Sequence, residues 1–203
     1  MILFLLIMIL YAETEEKKIL DRISNKYLSK LPLQVEFDII QKFNGQDQPQ
    51  EISGVFYLSS DSSFRVKFPD QEILYDGKWL WSLDKSANQV VVEEFNTQSS
   101  LKFLYDIVNG NWGKFVVDNI SIFNSTANIA EINLRTQDEN NFFRYIVLKV
   151  DTLLNVIKEA NCVDFQQNNI SIVFKNFVPI AYSDSLLFKD EDFNNKELID
   201  LRP

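Results

Sequence analysis

The spacing of apolar residues changes twice along the chain. From Thr14 to Leu31, Ile19, Leu20, Ile23, Tyr27, Leu28 and Leu31 recur every three or four positions, with Glu15, Glu16, Asp21, Arg22 and Lys26 between them. This pattern predicts an amphipathic helix with acid in its first turn, stopped by Pro32. After Pro32 the period becomes two. Val35, Phe37 and Ile39 alternate with Glu36 and Asp38, and Phe64, Val66 and Phe68 alternate with Arg65 and Lys67. Short runs of this kind, separated by turn signals such as Asn44-Gly45 and Asp76-Gly77, predict a meander of six antiparallel strands up to Phe95.

Between Asn96 and Asn109 the helical period returns: Leu101, Phe103, Leu104, Ile107 and Val108 share one side, Thr97 or Ser99 is a candidate cap, and Gly110 a stop. Four or five further strands follow, from the run "KFVVDNISIF" to "NISIVFKNF", with the stretch "LLNVIKEANCVDF" read as one of them. The order of helix, six strands, helix and four or five strands predicts a mainly β chain of the α+β class. It would form one large curved antiparallel sheet, with helices on the concave face enclosing an apolar space.

The run Ile2–Leu10 stands outside this pattern. About ten apolar residues are too few to cross a hydrocarbon core of about 30 Å. Closed by Tyr11 and Ala12 and followed by "ETEEKK", the run fits the apolar stretch of an export signal. Residues 1–12 are therefore expected to be removed, leaving 13–203 as a single domain. A lipid anchor would need a cysteine at the cleavage point, where Ala12 and Glu13 stand.

Composition narrows the chemistry. Of 203 residues, 46% are hydrophobic and 13% aromatic, enough to build a core. There is no histidine, so the usual triads and most zinc sites are absent. Cys162 is the only cysteine and has no histidine to activate it. Catalysis would have to rest on carboxylates, and no cofactor or metal is expected; the series Asp190, Asp192, Asn194 lacks the central glycine and distal glutamate of a calcium loop. The net charge of -9, without a basic cluster along the sequence, argues against nucleic acid and against an anionic membrane surface.

The stretch "ILYDGKWLW", Ile73 to Trp81, resembles a motif of the LolA family of periplasmic outer-membrane lipoprotein carriers. Gln41-Lys42 closing the first strand, Gly54 opening the second and Phe64-Arg65 beginning the third are similar too, and "ELIDLR", Glu197 to Arg202, resembles the close of the Bacteroidetes-type branch. The resemblance implies an unclosed antiparallel half-barrel of about eleven strands with a helical lid over an apolar cavity. It also implies a soluble, monomeric, non-enzymatic periplasmic carrier of acylated lipoproteins. Such a carrier takes cargo from an inner-membrane lipoprotein-releasing ABC transporter and delivers it to an outer-membrane receptor or the outer membrane. On this chain the cavity would be lined by Val35, Phe37, Ile39, Phe64, Val66, Phe68, Ile73, Trp79, Trp81, Leu101, Phe103, Leu104 and Ile107. Ile19, Leu20, Ile23 and Tyr27 would form the lid helix. Proteobacterial members carry Arg-Pro before the third strand; this chain has Ser60-Asp61, and Val66 stands where they have an aromatic residue. The alternatives are a binding protein for another lipid on the same fold, a receptor of that fold, and an exported enzyme using carboxylates.

Overall fold

The computed structural model describes residues 15–45, 47–95, 100–113, 115–123, 128–136, 143–164, 166–181, 193 and 195–203. The export segment, the cap candidates Thr97 and Ser99, and the calcium-like series up to Asp192 lie outside these residues, as does Asn194.

The first helix, α1 (Glu15–Leu28), is followed by β1 (Leu33–Lys42), β2 (Gln50–Leu58), β3 (Phe64–Lys67), β4 (Gln71–Tyr75), β5 (Trp79–Asp84) and β6 (Gln89–Glu94). Helix α2 (Ser100–Val108) comes next. Then follow β7 (Phe115–Phe123), β8 (Ile129–Thr136), β9 (Phe143–Asp151), β10 (Val156–Asp164), β11 (Asn169–Pro179) and β12 (Glu197–Asp200). The expected order is present, with three differences. Helix α1 ends at Leu28, not Leu31; Leu153 and Leu154 lie in the turn before β10, not in a strand; and the tail adds β12. That strand pairs parallel with β6, so the sheet is not antiparallel throughout.

The twelve strands form one sheet in the order β12-β6-β5-β4-β3-β2-β1-β11-β10-β9-β8-β7. Consecutive strands pair as neighbours except β6 with β7 and β11 with β12. Helix α2 carries the chain from the β6 side to the far edge at β7, and the return path ends with β11 beside β1. The sheet therefore stays open between its two ends. One end is covered by β12; β7 is the other.

Alternation in the strands gives the concave face its side chains: Leu33, Val35 and Phe37 on β1, Phe56 and Leu58 on β2, Ile146, Leu148 and Val150 on β9, all buried in one cluster. Both helices add to that cluster, α1 through Ile19, Leu20, Ile23 and Tyr27, α2 through Phe103, Leu104, Ile107 and Val108. The three- to four-residue spacing read from sequence is this buried stripe. Gly54 stands in the middle of β2 rather than opening it, opposite Phe37. A Cβ there would lie 2.7 Å from Phe37 Cζ and 3.0 Å from Phe68 Cε1, so the two rings need a glycine beneath them.

On the convex face the buried Arg65 and Glu72 form an ion pair that Lys85 joins at 2.9 Å. Burial alone would push the Glu72 carboxyl up, but the bonds from Lys85 and Arg65 outweigh it and hold it below the ordinary value. Lys175 and Ser53 likewise hold Asp38 below its ordinary range, with Lys175 Nζ 2.6 Å from Asp38 Oδ2. A carboxyl depressed on folding contributes stability above its unfolded pKa and loses it as pH falls through the folded value. With no histidine to titrate in between, the melting temperature is expected to be flat from about pH 5 to 8 and to fall steadily below about pH 4. Thermal melts followed by circular dichroism across that range check both parts.

Candidate functional site

The space enclosed by the sheet and the two helices is occupied by the protein's own side chains. Phe64 is fully buried at its centre. Its ring lies 5.3 Å from Phe56, 5.4 Å from Tyr75, 5.4 Å from Phe95 and 5.2 Å from Tyr105 on α2. Val35, Phe37, Val66, Phe103, Leu104 and Ile107 share the cluster with the lid residues of α1, and Ile39, Phe68, Ile73 and Leu101 pack against its margin. All of the expected lining residues except two are thus brought together, as packed core with the helices seated on the sheet.

The exceptions are Trp79 and Trp81. Strand pairing sets Phe64 opposite Tyr75 and Tyr75 opposite Leu80, while Trp81 lies opposite Leu74. Phe64, Tyr75 and Leu80 are therefore on the concave face, and the two tryptophans are on the convex one. There Trp81 meets Phe193 edge-on at 5.6 Å, and the Arg202 guanidinium lies 5.6 Å from the Trp79 ring and 5.8 Å from Trp81. The tryptophans anchor the C-terminal tail rather than a cavity floor. Asp76 explains the motif around them: its Oδ1 accepts from the Lys78 and Trp79 amides at 2.8 and 2.7 Å, and its Oδ2 from Trp81 Nε1 at 2.9 Å. Asp-Gly-Lys-Trp is a turn that ties itself to its own tryptophan.

Sequence reasoning missed Phe56, Leu58, Tyr75, Phe95, Tyr105, Phe143 and Phe174, which stand on the same face or on the helices that cover it. Phe56 and Leu58 carried the same period-two signal as their neighbours on β1 and could have been read from it.

Among the contacts that hold α1 to the rest are those of Ser24 and Tyr27. The Trp112 indole donates to Ser24 Oγ at 2.8 Å, and that hydroxyl donates to the Gly110 carbonyl at 2.8 Å. Farther along, the Tyr27 ring stacks on Phe177 at 4.6 Å, and its oxygen accepts from the Ile157 amide at 2.8 Å. That amide lies beside an irregularity in the β9–β10 ladder, between Ile157 and Glu159. Both attachments lie in the C-terminal part of the helix. Nearer its start, Lys17, Leu20 and Asp21 face Trp112, Phe115 and Val117 across an opening of about 540 Å³ at the β7 edge.

At Gly110, with φ of +67°, an added Cβ would come within 2.7 Å of the Ser24 backbone; at Gly77, with φ of +93°, it would meet nothing. Gly77→Ala should therefore cost about 1 kcal/mol, for backbone conformation alone. Gly110→Ala should cost about 2–4 kcal/mol, because α1 must also move. Urea midpoints of the two variants read the difference.

Chemistry at this site is apolar. The Cys162 thiol is buried, pushed well above its ordinary value by burial alone, and unsuited to attack. Among the described residues no group of three His, Cys, Asp or Glu side chains could hold a metal, and no helix is long and apolar enough to cross a membrane.

The family model described as outer membrane lipoprotein carrier protein LolA matches residues 33–190. No curated protein sequence matches the chain. Among solved structures, an uncharacterized conserved protein from Thermus thermophilus is similar at 11% identity and a TM-score of 0.57, over 92% of this chain and 99% of that one. A DUF1329 family protein from Desulfovibrio piger is similar at 9% identity and 0.52, over 90% and 100%. A LolA superfamily protein from Nitrosomonas europaea gives 11% and 0.49, over 88% and 100%. At such identities the first two likenesses are of fold alone.

Proposed function

Because the chain belongs to the family of the outer membrane lipoprotein carrier protein LolA, we propose that it carries the acyl chains of lipoproteins between the concave face and the two helices. The observation that carries this reading is the joint between helices and sheet. Its buried part is a cluster of apolar side chains, and polar attachments of α1 from Arg22, Ser24, Lys26 and Tyr27 lie in the C-terminal half of the helix. Apolar surface of this kind can exchange one apolar partner for another without stranding buried polar groups.

On this reading the packed state is the empty carrier. Acyl chains enter where α1 and the β7 edge leave an opening, and the N-terminal half of α1 lifts while Ser24 and Tyr27 keep its other half in place. Phe64, Val35, Phe37 and Val66 then exchange contacts with the helices for contacts with cargo. An acyl chain of about fifteen carbons gains on the order of 10 kcal/mol on leaving water. This is enough to offset separation of the helices, while reseating of the helices opposes it and makes release feasible. The protein acts in the periplasm after export, as a monomer and without catalysis. It receives cargo from an inner-membrane ABC transporter and passes it to an outer-membrane acceptor.

The test is direct. The protein and a triacylated lipoprotein are mixed in detergent and the detergent removed. A soluble one-to-one complex is expected. Precipitation of the lipoprotein to the same extent with and without the protein would sink the proposal, and uptake of a free diacyl phospholipid but not of lipoprotein would transfer it to another lipid cargo.

A further inference from the structure

The tip of the molecule formed by the end of α1 and the β9–β10 turn combines three exposed leucines with a group of cations. Leu153 is 70% exposed and Leu154 50% exposed, and Leu28 at the end of α1 is exposed as well. Asp151 Oδ1 accepts from the Leu153 and Leu154 amides at 3.1 and 2.8 Å, so the turn is fixed with both side chains outward. Helix α1 is bound to the same turn. Lys26 Nζ donates to the Leu154 carbonyl, and Arg22 Nε to Asn155 Oδ1 at 3.3 Å.

Lys26, Lys30, Lys158 and Lys175 line a recess of about 160 Å³ beside these leucines. Lys175 is paired with Asp38; Lys30 and Lys158 have no carboxylate within ion-pair distance among the described residues. Burial first, then the charge of Lys30, lowers the Lys26 ammonium below its ordinary value; Asp151 opposes this and Lys158 adds to it. These cations are brought together from positions 26, 30, 158 and 175, which is why no basic cluster was visible along the sequence.

We propose that this tip docks the protein on an anionic phospholipid surface, with Leu153 and Leu154 entering the interface and Lys26, Lys30 and Lys158 meeting the headgroup phosphates. Charge and shape both favour a membrane over a protein. A chain of net charge -9 is repelled by anionic lipid over most of its surface, whereas this cationic tip is attracted to it, and Leu153 and Leu154 project from a fixed turn instead of lining the recess. The proposal goes beyond the carrier reading and does not need it, because it concerns a surface away from the joint between helices and sheet.

The experiment is co-sedimentation of the chain from Glu13 onward, which holds every described element, with vesicles of phosphatidylglycerol in phosphatidylethanolamine and with vesicles of phosphatidylcholine alone. Binding is expected to the first and not the second, and to weaken as salt is raised. Lys30→Glu with Lys158→Glu should lower the partition coefficient about thirtyfold. Leu153→Ser with Leu154→Ser should lower it about tenfold. All four side chains are at the surface, and unchanged thermal melts would show that both variants fold. A Leu153→Cys variant carrying an environment-sensitive dye, with the buried Cys162 left unlabelled, should shift to the blue on the anionic vesicles only.

The inference is overturned by equal binding to both vesicle types, by double variants that pellet like the parent, or by a parent dimer that the leucine variant converts to monomer. No lipoprotein is present in this assay. A chain that ignores vesicles yet solubilises a lipoprotein would lose this inference and keep the carrier reading, and the opposite result would do the reverse.

Discussion

Replacement of Tyr27 by alanine is expected to destabilise the protein by about 3–5 kcal/mol and to loosen α1 as a unit. Two losses combine. The ring is fully buried and stacked on Phe177, so its removal leaves a void under the helix that neighbouring strands cannot fill. The phenol oxygen also accepts from the Ile157 amide at 2.8 Å, and that buried donor would be left without a partner. Tyr27→Phe separates the terms: it keeps the ring and should cost only the unsatisfied amide, about 1–3 kcal/mol. Urea denaturation measures both. Hydrogen exchange should show the loss concentrated in α1 for the alanine variant, and a uniform loss of protection across sheet and helices would show that Tyr27 is not an attachment of the lid.

Phe64→Ala should cost a similar amount, about 3–5 kcal/mol, but the damage lies elsewhere. Phe64 contacts rings from β2, β4, α2 and the segment after β6, so its loss opens a space between α2 and the sheet. Binding of an apolar dye should rise in this variant while the α1 attachments stay intact. In Tyr27→Ala dye binding should rise because the helix leaves. If Phe64→Ala binds no more dye than the parent at a temperature where both are folded, the rings around it have collapsed into the gap, and the concave face is more plastic than its packing indicates. On the carrier reading the two variants also differ in outcome. Tyr27→Ala should take up lipoprotein more readily and release it less readily, because reseating of α1 is the force for release.

Much of this protein can be read from residue spacing. The helical stripe Ile19, Leu20, Ile23, Tyr27 predicts the buried face of α1, since a side chain recurring at the helical period must meet an apolar neighbour or remain in water. The alternation in Val35, Phe37, Phe64 and Val66 predicts the concave face in the same way. Asp76-Gly77 marks a turn because few other pairs can make it. The family motif lies on that turn, where it serves the fold.

Spacing within one element does not determine which face of a distant strand joins which. Four residues separate the paired positions Lys67 and Glu72, and four separate Tyr75 and Leu80, so even-numbered residues pair with odd ones at each hairpin. A connection one residue shorter or longer would have placed Trp79 and Trp81 beside Phe64; as built, they hold the C-terminal tail instead. Strand β12 was equally hidden, because "ELID" becomes a strand only where the β6 edge offers its backbone groups.

The same separation governs charge and surface. Sequence by itself determined the net charge of -9, the absence of histidine and the amount of apolar material. Those totals suffice to remove histidine-based chemistry and to require a large core, because they do not depend on arrangement. Only the tertiary structure could set Arg22, Lys26, Lys30 and Lys158 around Leu153 and Leu154, or leave an opening at β7 beside a closed core. Electrostatic and packing energies depend on distance through space, and two helical or strand periods fix that distance only among near neighbours in the chain.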